Sequence, residues 1–401
     1  MSETVPVYPF AHPAALEPSP EWERLRDECP VSRVRMVSGD EALLLTRYAD
    51  VRELLADPRF THSLTAPDAA KVSTADDGGV FSSENSAMTA SPDHPRWRRM
   101  MNKSFTVKRV TAMRPRIEEI AHQLIDDMLA GGQPGDLQSA LGFPLPVFVI
   151  CELLGVDPGY RDKFSHWSDA MLNLTKYDQD ELTTAAAEFQ AFMVQHVQDK
   201  RSKPGDDLLS ELAAVVDSQD GRLSEQELVI TAQGLLVAGH ETTANMIGKM
   251  VSMLLADRPR RWERLLDDRG LINSAVEESL RFDANPGFGL PRYISEDIEV
   301  AGCPIAAGTT VVVSMASGNR DERAYPEAGE MLIDRVPNPH LAFGVGPHSC
   351  LGQALARTEL QVVLAVLLDR LPTLELAVPA GELRRRDGLI VGGLEEVPVR
   401  W

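Results

Sequence analysis

The chain has 401 residues, 43% of them hydrophobic, which is enough to bury a large core. Its 40 basic and 60 acidic side chains leave a net charge of −20, which argues against general nucleic-acid binding, since that needs a basic face. Cys29, Cys151, Cys303 and Cys350 are scattered without CxxC spacing, so a disulfide framework or a zinc site is not expected and a reducing cytoplasm is.

In chain order, Met1 to Pro20 carries five prolines and neither a basic start nor an apolar run, so no signal peptide or membrane anchor is expected there. No later segment reaches the roughly 18 uncharged apolar residues of a spanning helix. A helix is predicted over Glu21–Glu28, a hairpin over Val31–Val37 and Ala42–Thr46 around the Gly39-Asp40 turn, and a helix over Tyr48–Leu55. Residues 61 to 90 are rich in Ser, Thr, Ala, Asp and Gly with little periodicity, which reads as a loop.

His94 and Arg98 are four apart, so on a helix they share a face. Between His94 and Arg116 stand Arg96, Arg98, Arg99, Lys103, Lys108, Arg109, Arg114 and Arg116 with no acidic residue, which by itself reads as a solvated helix face. Helical patterns follow over Ile117–Leu129, Phe143–Leu154, Arg161–Leu174, Asp180–Lys200 and Asp207–Val216. The nearly all-apolar run Phe143–Val156 should be buried, with Cys151 as core.

Ser224-Glu225-Gln226-Glu227 is a capping box that opens a helix reaching about Asp257. Its middle, Ala238-Gly239-His240-Glu241-Thr242-Thr243, places a small pair, a carboxylate and two hydroxyls inside an otherwise apolar run. A helix over Leu271–Phe282 carries Glu278 and Arg281 three apart. Val300–Thr309 reads as a hairpin before a strand over Val311–Ser314, and the tail from Leu389 to Leu394 reads as a hairpin.

The most informative stretch is Phe343-Gly344-Val345-Gly346-Pro347-His348-Ser349-Cys350-Leu351-Gly352, just before the helical run that starts at Gln353. Gly344 and Gly346 permit backbone angles and approaches that a Cβ forbids, so the loop can lie under a large group and present one sulfur. A helix N-terminus just beyond the sulfur favours its thiolate form.

Phe-Gly-x-Gly-x-His-x-Cys-x-Gly resembles the haem-binding loop of cytochromes P450 at every defining position, and the resemblance extends from the first hundred residues to Pro398–Trp401. It implies a mainly α fold, a large helical region with a smaller β-rich region, as a single domain over 1–401. It implies that Cys350 is the proximal ligand of haem b (iron protoporphyrin IX), and that His94, Arg98, Arg292 and His348 hold the haem propionates. By the same resemblance Glu241 and Thr242 relay protons during oxygen activation, while Thr243 bonds back to a helix carbonyl. Glu278 and Arg281 form a structural ion pair completed by Arg335. Phe288 and Leu290 are candidate pocket walls, with plain β packing as the alternative, and residues 61–90 a mobile lid. The basic cluster becomes a docking patch where an acidic ferredoxin delivers electrons.

The implied activity is a soluble, actinobacterial-type monooxygenase of the cytoplasm, a monomer using O2 and electrons from NAD(P)H through ferredoxin reductase and ferredoxin. It would hydroxylate a C–H bond of a small hydrophobic natural product, such as a polyketide or macrolide-like secondary metabolite. Epoxidation, or aromatic coupling on a carrier-bound substrate, would use the same machinery. A non-catalytic haem-binding sensor and a haem-free helical protein are the alternatives of other classes.

Overall fold

The computed structural model describes residues 5–60, 64, 66–74, 94–217, 223–284, 287–386 and 388–401. The expected lid falls largely on positions 61–63, 65 and 75–93, outside the described residues.

Thirteen α-helices and nine strands are found among the described residues. Helices α1 (Pro20–Glu28) and α2 (Tyr48–Ala56) flank the hairpin of β1 (Val31–Arg35) and β2 (Glu41–Leu45). Then come α3 (His94–Ser104), α4 (Val107–Ala130), β3 (Gly135–Asp136), α5 (Pro144–Leu154), α6 (Arg161–Leu172), α7 (Gln179–Ser202) and α8 (Leu208–Asp217). The long α9 (Glu225–Ala256) is followed by α10 (Trp262–Asp267) and α11 (Ile272–Phe282). Strands β4 (Leu290–Ile294), β5 (Ile298–Val300), β6 (Cys303–Ile305) and β7 (Thr309–Val313) lead to α12 (Met315–Gly318). The chain closes with α13 (Gln353–Arg370), β8 (Glu375–Leu376) and β9 (Pro398–Arg400).

The predicted capping box is complete. Ser224 Oγ accepts the Glu227 N–H at 3.2 Å, and Glu227 accepts the Ser224 N–H at 2.7 Å. Two of the four orphan donors at the start of α9 are thereby satisfied. At 32 residues α9 is about 48 Å long, so it crosses the helical region, packing on α5, α7 and α13. Close approach is built in at Gly239, where a Cβ would meet Ile150 Cδ1 of α5 at 2.6 Å. The preceding π-helical turn, Gln138–Gly142, sets the Gln138 amide into α9, its Nε2 donating to Ala244 O at 3.3 Å. Gly142 and Gly248 leave the room; a Cβ at either would collide with Gln138 Oε1. Helix α4 extends ten residues ahead of the predicted Ile117 start and carries Pro115 inside it, and ahead of Ile117 only Val110 is buried.

The sheet order is β1-β2-β7-β4. Strands β2 and β7 are parallel, with Leu43 opposite Val311, and β4 is antiparallel to β7, with Arg292 opposite Val311. Arg292 thus stands on a strand paired through its length, and its side chain is buried.

Candidate active site

Two hinges shape the cysteine loop. Gly344 and Gly346 have φ of +63° and +77°, the region that glycine occupies without strain. A Cβ on Gly346 would lie 2.7 Å from Ala56 Cα, so only glycine lets the loop pack on the end of α2. The Cys350 N–H donates to Phe343 O at 2.8 Å, folding the loop back on itself just before α13. Cys350 is exposed by surface area, yet enough protein surrounds it that burial pushes its thiol pKa up. Its sulfur therefore opens into an interior space. The Gly352 N–H and the charges of Arg98 and Arg357 act in the opposite direction. The expected thiolate preference is present as a contribution but is outweighed by burial in the protein alone.

Four basic residues converge beside this loop. The His94 and His348 rings stack at 4.2 Å. Arg98 reaches Ser349 Oγ at 3.5 Å, which places α3 against the loop, and Arg292 arrives from β4. Burial, then the charges of His94, Arg292 and Arg98, push the His348 pKa down to about 4. Burial followed by Arg98 lowers that of His94, and burial lowers Arg292 to about 10. A cluster whose members depress one another is a cradle for an anion, and one beside a thiol loop suits the carboxylates of a large cofactor.

The middle of α9 shows two faces. Gly234 and Ala238 are exposed and Thr242, four further on, is half-buried, while Leu236, Val237, His240, Glu241, Thr243 and Ala244 are buried. A Cβ on Gly234 would touch nothing within 4 Å. A helix with a bare stripe of small residues inside a buried run borders a space. Thr242 Oγ1 donates to Ala238 O at 2.7 Å. The back-bond expected of Thr243 is therefore made by Thr242, because it is the residue at the stripe's edge whose hydroxyl reaches the carbonyl one turn earlier. The Thr242 proton is committed there.

Glu241 is 1% exposed, and its partners were not legible in the sequence. Its Oε1 accepts from Arg386 Nη1 at 2.7 Å and from Asn245 Nδ2 at 3.3 Å, and Oε2 lies 3.7 Å from His240 Nε2. Arg386 also donates to Asp169 on α6, at 3.0 Å. Burial alone would raise the Asp169 pKa, but hydrogen bonds from Lys176 and Tyr177 and the charges of Lys176 and Arg386 hold it below the usual range. The only sequence signal for Arg386 was the run Arg384-Arg385-Arg386 in an acidic chain.

Other expectations resolve plainly. Glu278 is fully buried between Arg281, at 2.8 Å from both oxygens, and Arg335, at 3.1 Å, so the third member is Arg335. Phe288 is 2% exposed in a satellite core with Tyr8, whose hydroxyl donates to Phe288 O at 2.5 Å. It is packing, while Leu290 next along the strand stays half-buried. The basic cluster is partly neutralised by Arg96–Glu227, Arg109–Glu211, Arg114–Glu118 and Arg116–Glu152 pairs, and Arg99, Lys103 and Lys108 are exposed cations for which no ion pair is found among the described residues.

The profile of the family described as Cytochrome P450 matches residues 160–374. The mycinamicin IV hydroxylase/epoxidase of Micromonospora griseorubida is 43% identical, over 98% of this chain and 98% of its own. The nocardicin C N-oxygenase of Nocardia uniformis subsp. tsuyamanensis is 40% identical at the same coverage. The crystal structure of SgvP, a putative thioether synthase in griseoviridin tailoring, superposes with a TM-score of 0.92 at 38% identity, covering 99% of this chain and 100% of that one. Identity at this level over nearly the whole length has one explanation, common descent, and the chain belongs to the cytochrome P450 family.

Proposed function

We propose that this P450 monooxygenase inserts one atom of O2 into a C–H bond of a macrolide-like natural product. The substrate, O2, two electrons and two protons give the alcohol and water. The carrying observation is the bare stripe of α9, because it is where space, a hydroxyl and a buried acid meet on one helix. Haem supplies the oxygen activation when bound, as in the family at large. Here it is haem b, held by the Cys350 sulfur, with His94, Arg98, Arg292 and His348 neutralising its carboxylates.

Each group on α9 has a separate task. Gly234 and Ala238 leave room for the substrate. Thr242, its own proton engaged with Ala238, accepts a hydrogen bond from the open side, and Glu241 is the acid that resupplies protons through water. Arg99 and Lys103 follow Arg98 along α3 and therefore lie near the cysteine loop, a suitable dock for an acidic ferredoxin fed by an NAD(P)H-dependent reductase. The chain acts as one domain, a cytoplasmic monomer; among the described residues no helix is long and apolar enough to cross a membrane.

The relatives' names span hydroxylation, epoxidation, N-oxygenation and thioether synthesis at similar identity. Substrate placement therefore separates them more than machinery does, and epoxidation of a double bond in the same substrate class is the second reading. An optical titration of the ferric protein with macrolactones, terpenoids and steroids tests the substrate class. A saturable Soret shift confined to macrolactones is expected, and a shift confined to another class overturns it; NMR of the product then separates alcohol from epoxide. Thr242→Ala should divert reducing equivalents to peroxide, and unchanged coupling of NAD(P)H use to product would sink the proton relay.

A further inference from the structure

His240 precedes Glu241 in the middle of α9 and is fully buried. Its Nδ1 lies 2.7 Å from Leu236 O, and a carbonyl oxygen only accepts, so Nδ1 carries a hydrogen and donates it. The other ring nitrogen is therefore the one left to gain or lose a proton. Nε2 is buried without a hydrogen-bond partner among the described residues, and Glu241 Oε2 lies 3.7 Å from it. The Phe143 ring meets the imidazole at 88°, 5.7 Å between centres, so an uncharged face closes this side.

The two oxygens of Glu241 are unlike. Oε1 accepts from Arg386 Nη1 at 2.7 Å and from Asn245 Nδ2 at 3.3 Å, whereas no donor to Oε2 is found among the described residues. A neutral imidazole nitrogen and a carboxylate oxygen are both acceptors. With no proton between them, two buried lone pairs face each other unsatisfied, which is costly; one proton in the gap satisfies both. Charge points the same way. Arg386 is shared between Glu241 and Asp169, at 2.7 and 3.0 Å, and Lys176 behind Asp169 is 58% exposed and so largely answered by solvent. Holding one proton, the pair of His240 and Glu241 is neutral and leaves the guanidinium to Asp169. Burial lowers the His240 pKa, against the charge of Glu241 and the Leu236 carbonyl, so a lone imidazolium is disfavoured and the acid must share the proton.

We propose that His240 and Glu241 form a dyad that stores one proton between Nε2 and Oε2. The proton leaves from Oε2 to the water relay, after which His240 is a neutral imidazole and Glu241 a carboxylate, and solvent restores it before the next turnover. Of the two protons that the reaction consumes, the dyad supplies one. His240 is a positioning residue that acts through Glu241, fixing which oxygen carries the proton. The proposal rests on the reading of Glu241 as the proton-delivering acid. Two groups this close titrate as a unit, so the store is full below the dyad's titration and empties as pH rises through it.

The ring can be read directly. In the haem-loaded ferrous carbon monoxide enzyme carrying nitrogen-15 histidine, the ring nitrogens are followed by NMR from about pH 5 to 9. The chain has nine histidines, so His240 is assigned by its loss in His240→Asn, or in His240→Gln should the first not fold. Nε2 should be protonated or hydrogen-bonded near neutral pH in the wild type and a bare acceptor in Glu241→Leu. A bare Nε2 throughout in the wild type, or one unchanged in Glu241→Leu, would overturn the dyad. Turnover gives a second readout. His240→Asn keeps a donor for Leu236 O but lacks Nε2, and should cut product per NAD(P)H about tenfold at neutral pH, with peroxide in its place. It should also abolish the fall in that yield with rising pH, while substrate affinity stays at the wild-type value because His240 lies off the open stripe. Wild-type yield and pH profile, or a loss confined to affinity, would count against the dyad. Glu241→Leu separates the two readings. Unchanged coupling in that variant removes the relay itself, whereas uncoupling there with wild-type coupling in His240→Asn removes only the part of His240.

Discussion

The two sides of α13 and α9 are held in opposite ways. Beneath the cysteine loop the charges are redundant. Glu278 binds Arg281, Arg335, Asn338 and the Leu332 N–H, while Glu277 binds Arg357 through both oxygens and His340 at 3.0 Å. Arg357 also lies 4.5 Å over the ring of Phe343, whose carbonyl holds the Cys350 amide. Around Glu241 the one arginine partner among the described residues is Arg386, and the surrounding segments meet by isolated backbone bonds. The cysteine side is therefore held by overlapping ion pairs and the Glu241 side by fewer, so the second is expected to open locally before the first.

That contrast can be broken by mutation. The largest effect is expected at Glu278→Gln. It leaves Arg281, fully buried, and Arg335 without their shared anion and should cost about 3–5 kcal/mol in denaturant unfolding. A loss under 1 kcal/mol would mean that the cysteine side is no better fastened than the other. Gly388→Ala acts on the opposite side. Gly388 has φ of +73°, and a Cβ would meet Thr175 Oγ1 at 2.6 Å and Asn173 Oδ1 at 2.9 Å. It should cost about 1–2 kcal/mol or less globally while raising exchange at Leu174. Equal global loss from both variants would erase the distinction.

Acid sharpens it further. Burial pushes the Glu277 pKa up, but hydrogen bonds and charge from His340 and Arg357 outweigh this and hold it at about 2, against 4.5 for a free side chain. A depressed carboxyl contributes stability that is complete above its unfolded pKa and is lost as pH falls through its folded one. Unfolding free energy should therefore fall between about pH 4.5 and 2, and Glu277→Gln should flatten that slope. An unchanged slope would show that Glu277 does not carry the acid sensitivity of this side. The smallest effect is expected from Arg357→Lys. It keeps the charge, loses the fork and the stacking on Phe343, and should cost about 1 kcal/mol with a small shift in the ferrous carbon monoxide spectrum. A wild-type spectrum and stability would show that Arg357 does not brace the loop.

What the sequence reveals follows the same division. The cysteine loop, the capping box and the Glu278–Arg281 pair are legible because their parts lie within a few residues and their geometry is local. Arg335 is recoverable only through resemblance, and the role of Glu277 is not legible at all, because nothing local distinguishes it from Glu278 one position on. On the other side Glu241 and Thr242 were legible as residue types, but their hydrogen bonds were not. Arg386 lies 145 positions from Glu241, and no periodicity joins them. Phe288 reads as an apolar strand residue whichever way it points, and its direction is decided by Tyr8, 280 positions away. Thr242 and Thr243 are neighbours whose helical preferences are alike, so only the surrounding space decides which one turns back to the carbonyl.

The amide of Gln138, set between Gly142 and Gly248, also bears on how such a protein can change over time. It works as an index pin. Advancing α9 by one residue would shift it about 1.5 Å and turn it about 100°, carrying Glu241 and Thr242 off their stations and driving a side chain into the pin. The register of α9 is thereby locked, so sequence change that alters what this helix presents must come by exchanging its side chains one at a time and not by sliding the helix.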